Sequence, residues 1–192
     1  HVDKELLDAA EMGQFPTDLW SLVVENGFHQ LGSAGSGTDP SDLFAFLMTC
    51  GQFAVPLPMA ETLLANRWIG AENSIATIGL KNEVGAVDAL WGRVAERVVV
   101  VTPGASEVLV GTSSEVTHLT NMAGEPADMV TLGAFESVEV EADPYAQMAL
   151  SRVNLMAGCL QAQLNLGIQF ATERSQFGRS ISKFQAIQHS LA

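Results

Sequence analysis

The chain has 192 residues, of which 47% are hydrophobic and 16% charged, and its 9 basic and 22 acidic residues give a formal net charge of -13. This composition is typical of a folded globular protein and excludes a disordered acidic tail. The negative charge disfavours nucleic acid as a partner. The sequence has no run of eighteen apolar residues and no secretion signal, so we expect no membrane span and a cytoplasmic location.

The amino-terminal third predicts short helices. Leu6, Leu7 and Ala10 recur at helical spacing and predict the first helix. Thr17 is expected to cap a second helix over residues 18–26, a third covers 43–50, and Pro58 starts a fourth that ends near Trp68. The glycine-rich segment 32–38 is interpreted as a flexible connection, because no strand precedes it and no Gly-Lys-Ser/Thr follows it.

Between residues 74 and 141 the pattern changes to β-branched runs that are separated by turn residues, which predicts strands. Thr102-Pro103-Gly104 and Gly124-Glu125-Pro126 have turn chemistry. Seven short strands in so few residues indicate a small sandwich or barrel. The predicted strands cover residues 75–80, 87–91, 94–101, 108–110, 116–119, 129–132 and 135–140.

After Pro144 a helical period returns and holds to about Arg174, a length of about 45 Å that is typical of a helix bundle. Its apolar stripe comprises Leu150, Val153, Met156, Ala157, Leu160, Leu164, Gly167, Ile168 and Ala171. The sequence therefore predicts an α+β protein. Its expected parts are an N-terminal helical domain (1–70), a middle β domain (71–142) and the first two helices of a C-terminal bundle (143–192).

Positive charge is concentrated near the carboxyl end, where Arg174, Arg179 and Lys183 lie within ten residues. Arginine presents a planar fork of donors that suits phosphate oxygens, and the next helix can direct free N–H groups to the same place. A diphosphate is therefore a fitting ligand. The same pattern also arises where cations only solvate a helix junction and complement the dipole of the preceding helix.

The last twenty-two residues resemble the signature of the acyl-CoA dehydrogenase superfamily. Relatives carry an Arg-x-Gln-Phe-Gly-x-x-Ile-x-x-Phe-Gln run, followed by Leu-Ala, between two helices. The matching residues are Arg174, Gln176, Phe177, Gly178, Ile181, Phe184, Gln185, Leu191 and Ala192. Arg152 and Gly158 match positions on the preceding helix, and a weaker likeness covers residues 19–20 and 55–62.

The resemblance implies a flavoprotein oxidoreductase of lipid metabolism. Such enzymes use FAD to remove two hydrogens across the α and β carbons of an acyl-CoA thioester, and they pass the electrons to an acceptor flavoprotein. In the family the motif reaches the flavin of a neighbouring subunit. A homo- or hetero-oligomer with FAD at the subunit interface is therefore implied.

The resemblance also assigns roles within the motif. Arg174 would contact the FAD pyrophosphate, and Gly178 would permit a tight turn that needs a positive φ. For the aromatic and aliphatic members, packing within the bundle is an equal alternative to cofactor contact. The remaining cofactor surface would comprise Gln176, Phe177, Ile181, Phe184 and Gln185.

Two features depart from the family pattern. Relatives keep the catalytic base on a helix downstream of the turn, so no residue here is assigned a catalytic role. The Thr-Glu-Pro-Gly-Ala-Gly-Ser-Asp type segment that cradles the isoalloxazine ring is absent, and 102–106 is interpreted as a hairpin turn. The sequence also stops inside an apolar helix, so we expect that the natural protein continues or that a partner supplies the missing helices.

These departures leave three interpretations open. The chain is a dehydrogenase subunit, a non-catalytic partner that completes the FAD site of a relative, or an oxidase or hydroxylase of the same architecture. No metal site is expected, because the histidines lack ligand spacing. Cys50 and Cys159 are expected to be small buried hydrophobes, and the three tryptophans to be core anchors. Those tryptophans are Trp20, Trp68 and Trp91.

Overall fold

A computed structural model describes residues 2–70, 74–82 and 85–191. Within these ranges helices come first, then strands, then helices, and the expected α+β architecture is confirmed. The helices are α1 (Lys4–Glu11), α2 (Thr17–Glu25), α3 (Pro40–Gln52), α4 (Met59–Ile69), α5 (Pro144–Glu173) and α6 (Gln185–Leu191). The strands are β1 (Ala76–Lys81), β2 (Val87–Leu90), β3 (Arg97–Val101), β4 (Glu107–Thr117), β5 (Ala127–Glu139), β6 (Ser175–Gln176) and β7 (Arg179–Ser180).

The first residues of α2 and α3 show which of the predicted helix caps form. Asp39 and Asp42 form a capping box at the start of α3, with the Asp39 N–H donating to the Asp42 carboxylate at 2.8 Å. The expected cap at Thr17 is wrong. Pro16 holds that position and Thr17 is the first helical residue. The Thr17 hydroxyl donates backwards to the Phe15 carbonyl at 3.3 Å and does not accept from an N–H of the first turn.

Strands β1 to β5 form a closed barrel in the order β1-β2-β5-β4-β3. Parallel pairing of β1 with β3 closes it, and the other neighbours are antiparallel. The valines of β3 are buried on both faces. Val98 and Val100 pack inside the barrel, whereas Val99 and Val101 join the core beneath the helices. This two-sided burial explains the unbroken apolar run in β3.

The prediction of seven strands for the middle part is wrong, because within the described residues the barrel has five. The predicted segments 108–110 and 116–119 both belong to β4, and 129–132 and 135–140 both belong to β5. Pairing of β4 with β5 shifts register on either side of Ser113. Such bulges keep a strand continuous through polar residues that resemble a turn in the sequence.

Helix α5 packs against α3 with the two backbones very close. A side-chain carbon added at Gly51 would overlap the carbonyl of Leu155, and one added at Gly158 would overlap the carbonyl of Met48. The two glycines therefore permit this contact. Helix α4 is buried beneath both and connects to the barrel, where the Thr62 hydroxyl donates to the Ala76 carbonyl at 2.7 Å.

The two cysteines have different environments. Cys50 is buried in the helical core, and this burial raises the pKa of its thiol to about 12. Cys159 is exposed, so the expectation that both are buried is wrong for this residue, which lies off the α3-facing side of α5. Among the described helices, α5 included, none is both long and apolar enough to cross a membrane.

Candidate functional site

A two-residue hairpin stands at the carboxyl end of α5. The N–H of Arg174 closes the helix on the Phe170 carbonyl at 2.9 Å, and the Arg174 carbonyl accepts from the Ile181 N–H at 2.9 Å. Between them β6 pairs with β7, and the connecting residues Phe177 and Gly178 have φ angles of +53° and +79°. Positive φ at both central positions gives the tight hairpin turn that matches strand twist. The turn lies where the sequence predicts it.

Ser180 attaches the hairpin to the helix end. Its hydroxyl lies 2.8 Å from the Ala171 carbonyl, 2.9 Å from the Thr172 carbonyl and 2.7 Å from the Ser182 hydroxyl. The last carbonyls of a helix have no partner within the helix, so a hydroxyl at this point satisfies groups that would otherwise need water. The hairpin is therefore held in a defined direction from α5.

The hairpin presents cations beside aromatic rings. The Arg179 guanidinium lies 4.2 Å from the centroid of the Phe184 ring, and the Phe177 ring meets Phe184 edge-on at 6.3 Å. Arg174, Arg179 and Lys183 are exposed. Among the described residues, none of the ion pairs involves these three side chains. Their charges are thus available to an external anion.

The structure brings the predicted site residues together on one short segment. Their exposures differ: Ile181 and Phe184 are partly buried against the end of α5, and the others are exposed. Phe177 is 93% exposed, although its positive φ is costly for a residue with a large side chain. Ala192, the last residue of the motif, lies outside the described residues. The exposed members are Arg174, Gln176, Phe177, Gly178 and Gln185.

The solvent-facing side of α5 is a second unusual surface. The large side chains of the stripe predicted from the sequence face away from α3. From Val153 onward five of them are between 44% and 62% exposed, and Leu150 before them is 47% exposed, whereas Ala171 at the far end is buried. No charged residue occurs from 153 to 172. Contiguous exposed apolar surface of this kind marks an interaction site. We call these five residues the α5 stripe: Val153, Met156, Leu160, Leu164 and Ile168.

Comparisons with known proteins bear on the fold of the chain. The chain is similar to acyl-CoA dehydrogenase IpdE2 of Mycobacterium tuberculosis (strain ATCC 25618 / H37Rv), with 27% identity over 201 residues that cover 93% of this chain and 60% of the relative. It is similar to a crystal structure of the ChsE4-ChsE5 complex from Mycobacterium tuberculosis, with a TM-score of 0.75 and 18% identity over 97% of this chain and 66% of that one. The chain has the acyl-CoA dehydrogenase fold.

The same fold occurs in PigA with FAD and proline, at a TM-score of 0.68 and 12% identity over 99% of this chain and 69% of that one. No family model matches the chain. The resemblance to the acyl-CoA dehydrogenase superfamily that the motif indicates is nevertheless confirmed by sequence and by fold. The chain spans 60% of the length of the first of these relatives.

The two upstream matches to the acyl-CoA dehydrogenase pattern have structural contacts. Arg152 pairs with Glu61, a buried carboxylate on α4, and Gly158 permits the approach of α3. Sequence reasoning missed the partner of Arg152, because 91 residues separate the two. It also missed the contacts of Ser180 with the end of α5. A short polar residue close after a glycine turn is only a weak indication of such a role.

Proposed function

We propose that the chain is a flavoprotein subunit of the acyl-CoA dehydrogenase type, which binds FAD where subunits meet and acts on an acyl-CoA thioester. The observation that carries this proposal is the segment after α5, where the hairpin presents an exposed phenylalanine close to three cations that form no ion pair within the described residues. IpdE2, which is similar in sequence along most of the chain, is an acyl-CoA dehydrogenase by name.

The donors of the hairpin suit the diphosphate of a dinucleotide. Arg174 supplies a planar fork at the end of α5, and Arg179 and Lys183 add charge within the same ten residues. Neither arginine is neutralised by a carboxylate within the described residues. In a chain with a formal net charge of -13, an uncompensated basic cluster is best explained by an anionic ligand.

The other motif residues fit an adenosine beside that diphosphate. Gln176 offers an amide, and Phe177 and Phe184 offer aromatic faces. Ile181 and Gln185 border the same surface, and Gly178 lets the turn form without a side chain. When bound, the flavin supplies the redox chemistry by accepting a hydride. This chain contributes binding and orientation, and no residue of it is assigned as the base that removes the α proton.

The α5 stripe supports an oligomer in the proposal. Five large apolar side chains on one uncharged face require a cover of similar character, whether homo- or hetero-oligomeric. A hairpin that projects from the same helix would then reach the neighbouring protomer. An electron-acceptor flavoprotein and an acyl-CoA substrate complete the proposed set of partners, and nucleic acid is not among them.

The test is the substitution Arg174→Ala in the full-length protein, purified with any subunit that accompanies it. Each lost charge-assisted hydrogen bond to a diphosphate should weaken FAD binding by about 10- to 100-fold. Bound flavin is measured by its absorbance, and affinity by calorimetry after its removal. Arg97→Ala is the matched control, because Arg97 is exposed on β3 and enters no ion pair within the described residues. Full FAD occupancy of the Arg174→Ala protein at wild-type affinity would contradict the proposal.

A second candidate function is that of a non-catalytic partner whose hairpin completes the FAD site of a related subunit. Its motivating observation is that ChsE4-ChsE5, which shares the fold, is a complex of two named chains. Activity of the purified full-length protein on acyl-CoA without any other subunit would exclude this role. Activity only after a related subunit is added, with loss on Arg174→Ala, would favour it.

A further inference from the structure

Arg67, near the end of α4, differs from the other arginines that are partly buried. The Arg93 guanidinium pairs with the Asp128 carboxylate. The Arg152 guanidinium pairs with the Glu61 carboxylate. Arg67 is also partly buried, but no carboxylate within the described residues pairs with it. Removing a charge from water costs free energy unless an opposite charge compensates it. Arg67 therefore lacks the counter-charge that the other two arginines have.

The tip of the Arg67 side chain lies at the glycine-rich segment. Its Nη1 donates to the Gly32 carbonyl at 2.8 Å. A guanidinium has further N–H donors on Nε and Nη2, which point along one edge as a parallel pair. Within the described residues this Nε and Nη2 edge of Arg67 donates to no acceptor. The side chain is thus held in place by one donor, and the edge that suits an oxyanion is left over.

Arg67 and the glycine-rich segment share the wall of a cavity of about 180 Å³. The wall is largely polar, and none of its residues is acidic. The N–H groups of Ala34 and Gly35, which belong to this wall, donate to no backbone carbonyl within the described residues. Sites for drug-sized ligands enclose about 300 to 1,000 Å³, so the occupant of this cavity is small. The other residues of the wall are Gln30, Ser33, Ser36 and Gly70.

Negative charges near Arg67 decide where an anion can bind. A second cavity, of about 460 Å³, also has Arg67 in its wall, but Glu139 and Glu141 line it as well and would repel an anion. Asp39 is already engaged at the start of α3. Hydrogen bonds from Ser41 lower the pKa of Asp39, slight burial opposes this, and the Arg67 charge adds to the lowering. The smaller cavity, whose wall has no carboxylate, is therefore the favourable place for an anion.

We propose that the cavity between Arg67 and the glycine-rich segment binds one phosphate group, either as the free ion or at the end of a larger molecule. Two phosphate oxygens accept the parallel N–H donors of the Arg67 guanidinium, and the size of the cavity admits a single such group. The segment lacks the lysine of a P-loop, and its cation comes instead from α4, 35 residues further along the chain. This proposal is independent of the flavin site, because it uses no residue of the hairpin.

Inorganic phosphate is the probe, titrated by calorimetry into the full-length protein in its natural assembly at low ionic strength. We expect saturable binding with a dissociation constant of about 1 mM or lower. Arg67→Gln should weaken it by about 10- to 100-fold, the effect of lost charge-assisted hydrogen bonds. Arg97→Gln changes the net charge equally, at an exposed residue of β3, and should bind as the wild type does. Arg174→Gln should also leave this binding unchanged, and a loss confined to the Arg174→Gln protein would overturn the proposal.

Phenyl phosphate distinguishes the two sources of the phosphate group. Binding of phenyl phosphate that Arg67→Gln weakens indicates a phosphate at the end of a larger molecule. Binding of inorganic phosphate alone, weakened by the same substitution, indicates the free ion. Saturable binding of neither probe to the wild type overturns the proposal.

Ala34→Glu locates the binding without removing Arg67. Ala34 is an exposed residue of the cavity wall, so the substitution leaves the hydrogen bond from Arg67 to Gly32 in place. The added carboxylate should compete for the guanidinium and abolish phosphate binding. Ala123→Glu, at an exposed residue between β4 and β5, adds the same charge elsewhere and should bind phosphate normally. Undiminished binding by the Ala34→Glu protein overturns the assignment, whether or not the Arg67→Gln protein folds.

Discussion

The barrel and helix α5 differ in where they place charged and apolar side chains: the barrel buries a charge, and α5 exposes an uncharged apolar face. Asp128 of the barrel is fully buried, and it accepts hydrogen bonds from the Arg93 side chain, the Arg93 N–H and the Leu119 N–H. On α5 the stretch from 153 to 172 has no charged residue, and its apolar stripe faces solvent. The buried charge of the barrel is paired by residues of the barrel itself, whereas the apolar face of α5 is left uncovered by the described residues.

This difference separates residues that maintain the fold from residues to which we assign a role in the proposed assembly. A buried, fully partnered carboxylate is costly to disturb, because removing its charge leaves a desolvated arginine. An exposed apolar side chain contributes little to the folding stability of the isolated chain, because it remains in contact with water in the folded state. Substitutions in the two regions should therefore differ in magnitude and also in the property that changes.

The largest effect is expected for Asp128→Asn. The variant leaves Arg93, whose side chain is 14% exposed, without its counter-charge, and breaking a buried pair in this way costs about 3 to 5 kcal/mol. The free energy of unfolding is measured with urea. Glu136→Gln, at an exposed residue of β5, should change it by less than about 0.5 kcal/mol. Equal stability of the two variants would show that the Arg93–Asp128 ion pair does not stabilise the barrel.

The same variant gives a pH test. Burial alone would raise the pKa of Asp128, but hydrogen bonds from Arg93 and Leu119 outweigh this and hold it below the ordinary value of 3.8. A lowered folded-state pKa means that the contribution to stability is complete above the unfolded-state pKa and is lost as pH falls through the folded-state pKa. The difference in stability between the wild type and Asp128→Asn should therefore begin to narrow as pH falls below about 4, and should vanish only below the lowered pKa of folded Asp128. A constant difference at all pH values would contradict the shift.

An intermediate effect is expected for Gly158→Ala. The added carbon would overlap the Met48 carbonyl of α3, so the two helices must separate, at a cost of about 1 to 3 kcal/mol. Gly167→Ala is the control on the same helix, since the nearest neighbour of its added carbon lies 3.6 Å away on Leu191. That substitution should stabilise the protein by up to about 1 kcal/mol through helix propensity. Thermal unfolding of both variants should show shifts of opposite sign, and shifts of the same sign would contradict the close approach.

The smallest effect on stability, with the largest effect on assembly, is expected for Leu160→Glu. Leu160 is 61% exposed, so its replacement should change the unfolding free energy of the isolated chain by less than about 0.5 kcal/mol. A carboxylate within the α5 stripe should nevertheless prevent association, as measured by sedimentation. Asn165→Glu, exposed on the same helix but outside the stripe, should assemble normally. An unchanged mass for Leu160→Glu would show that the stripe is not an interface between subunits.

Local patterns predicted the position of the hairpin and the apolar face of α5. The sequence indicates a turn at Phe177-Gly178 after a long helix, but not the short strands β6 and β7 on either side of it, and the apolar face of α5 follows from its helical period. Period does not tell which neighbour covers a face, so the exposure of Leu160 and Leu164 could not be predicted.

Contacts between residues that are far apart in the sequence account for the features that could not be predicted. Arg93 and Asp128 are 35 residues apart, and nothing near either one indicates the other. Bulges around Ser113 have the composition of a turn, so one long strand was predicted as two. The left-handed backbone of Trp91 arises from the carbonyl of Pro126 across the barrel end, and no signal at position 91 announces it.

The uncharged face of α5 also has a kinetic consequence. In the proposed assembly, a newly made chain exposes the apolar face of α5 to water until its cover arrives. If the cover is a separate polypeptide, the rate of maturation depends on concentration, because docking of subunits is a bimolecular step. If the cover is a later part of the same polypeptide, maturation proceeds at one rate at any dilution.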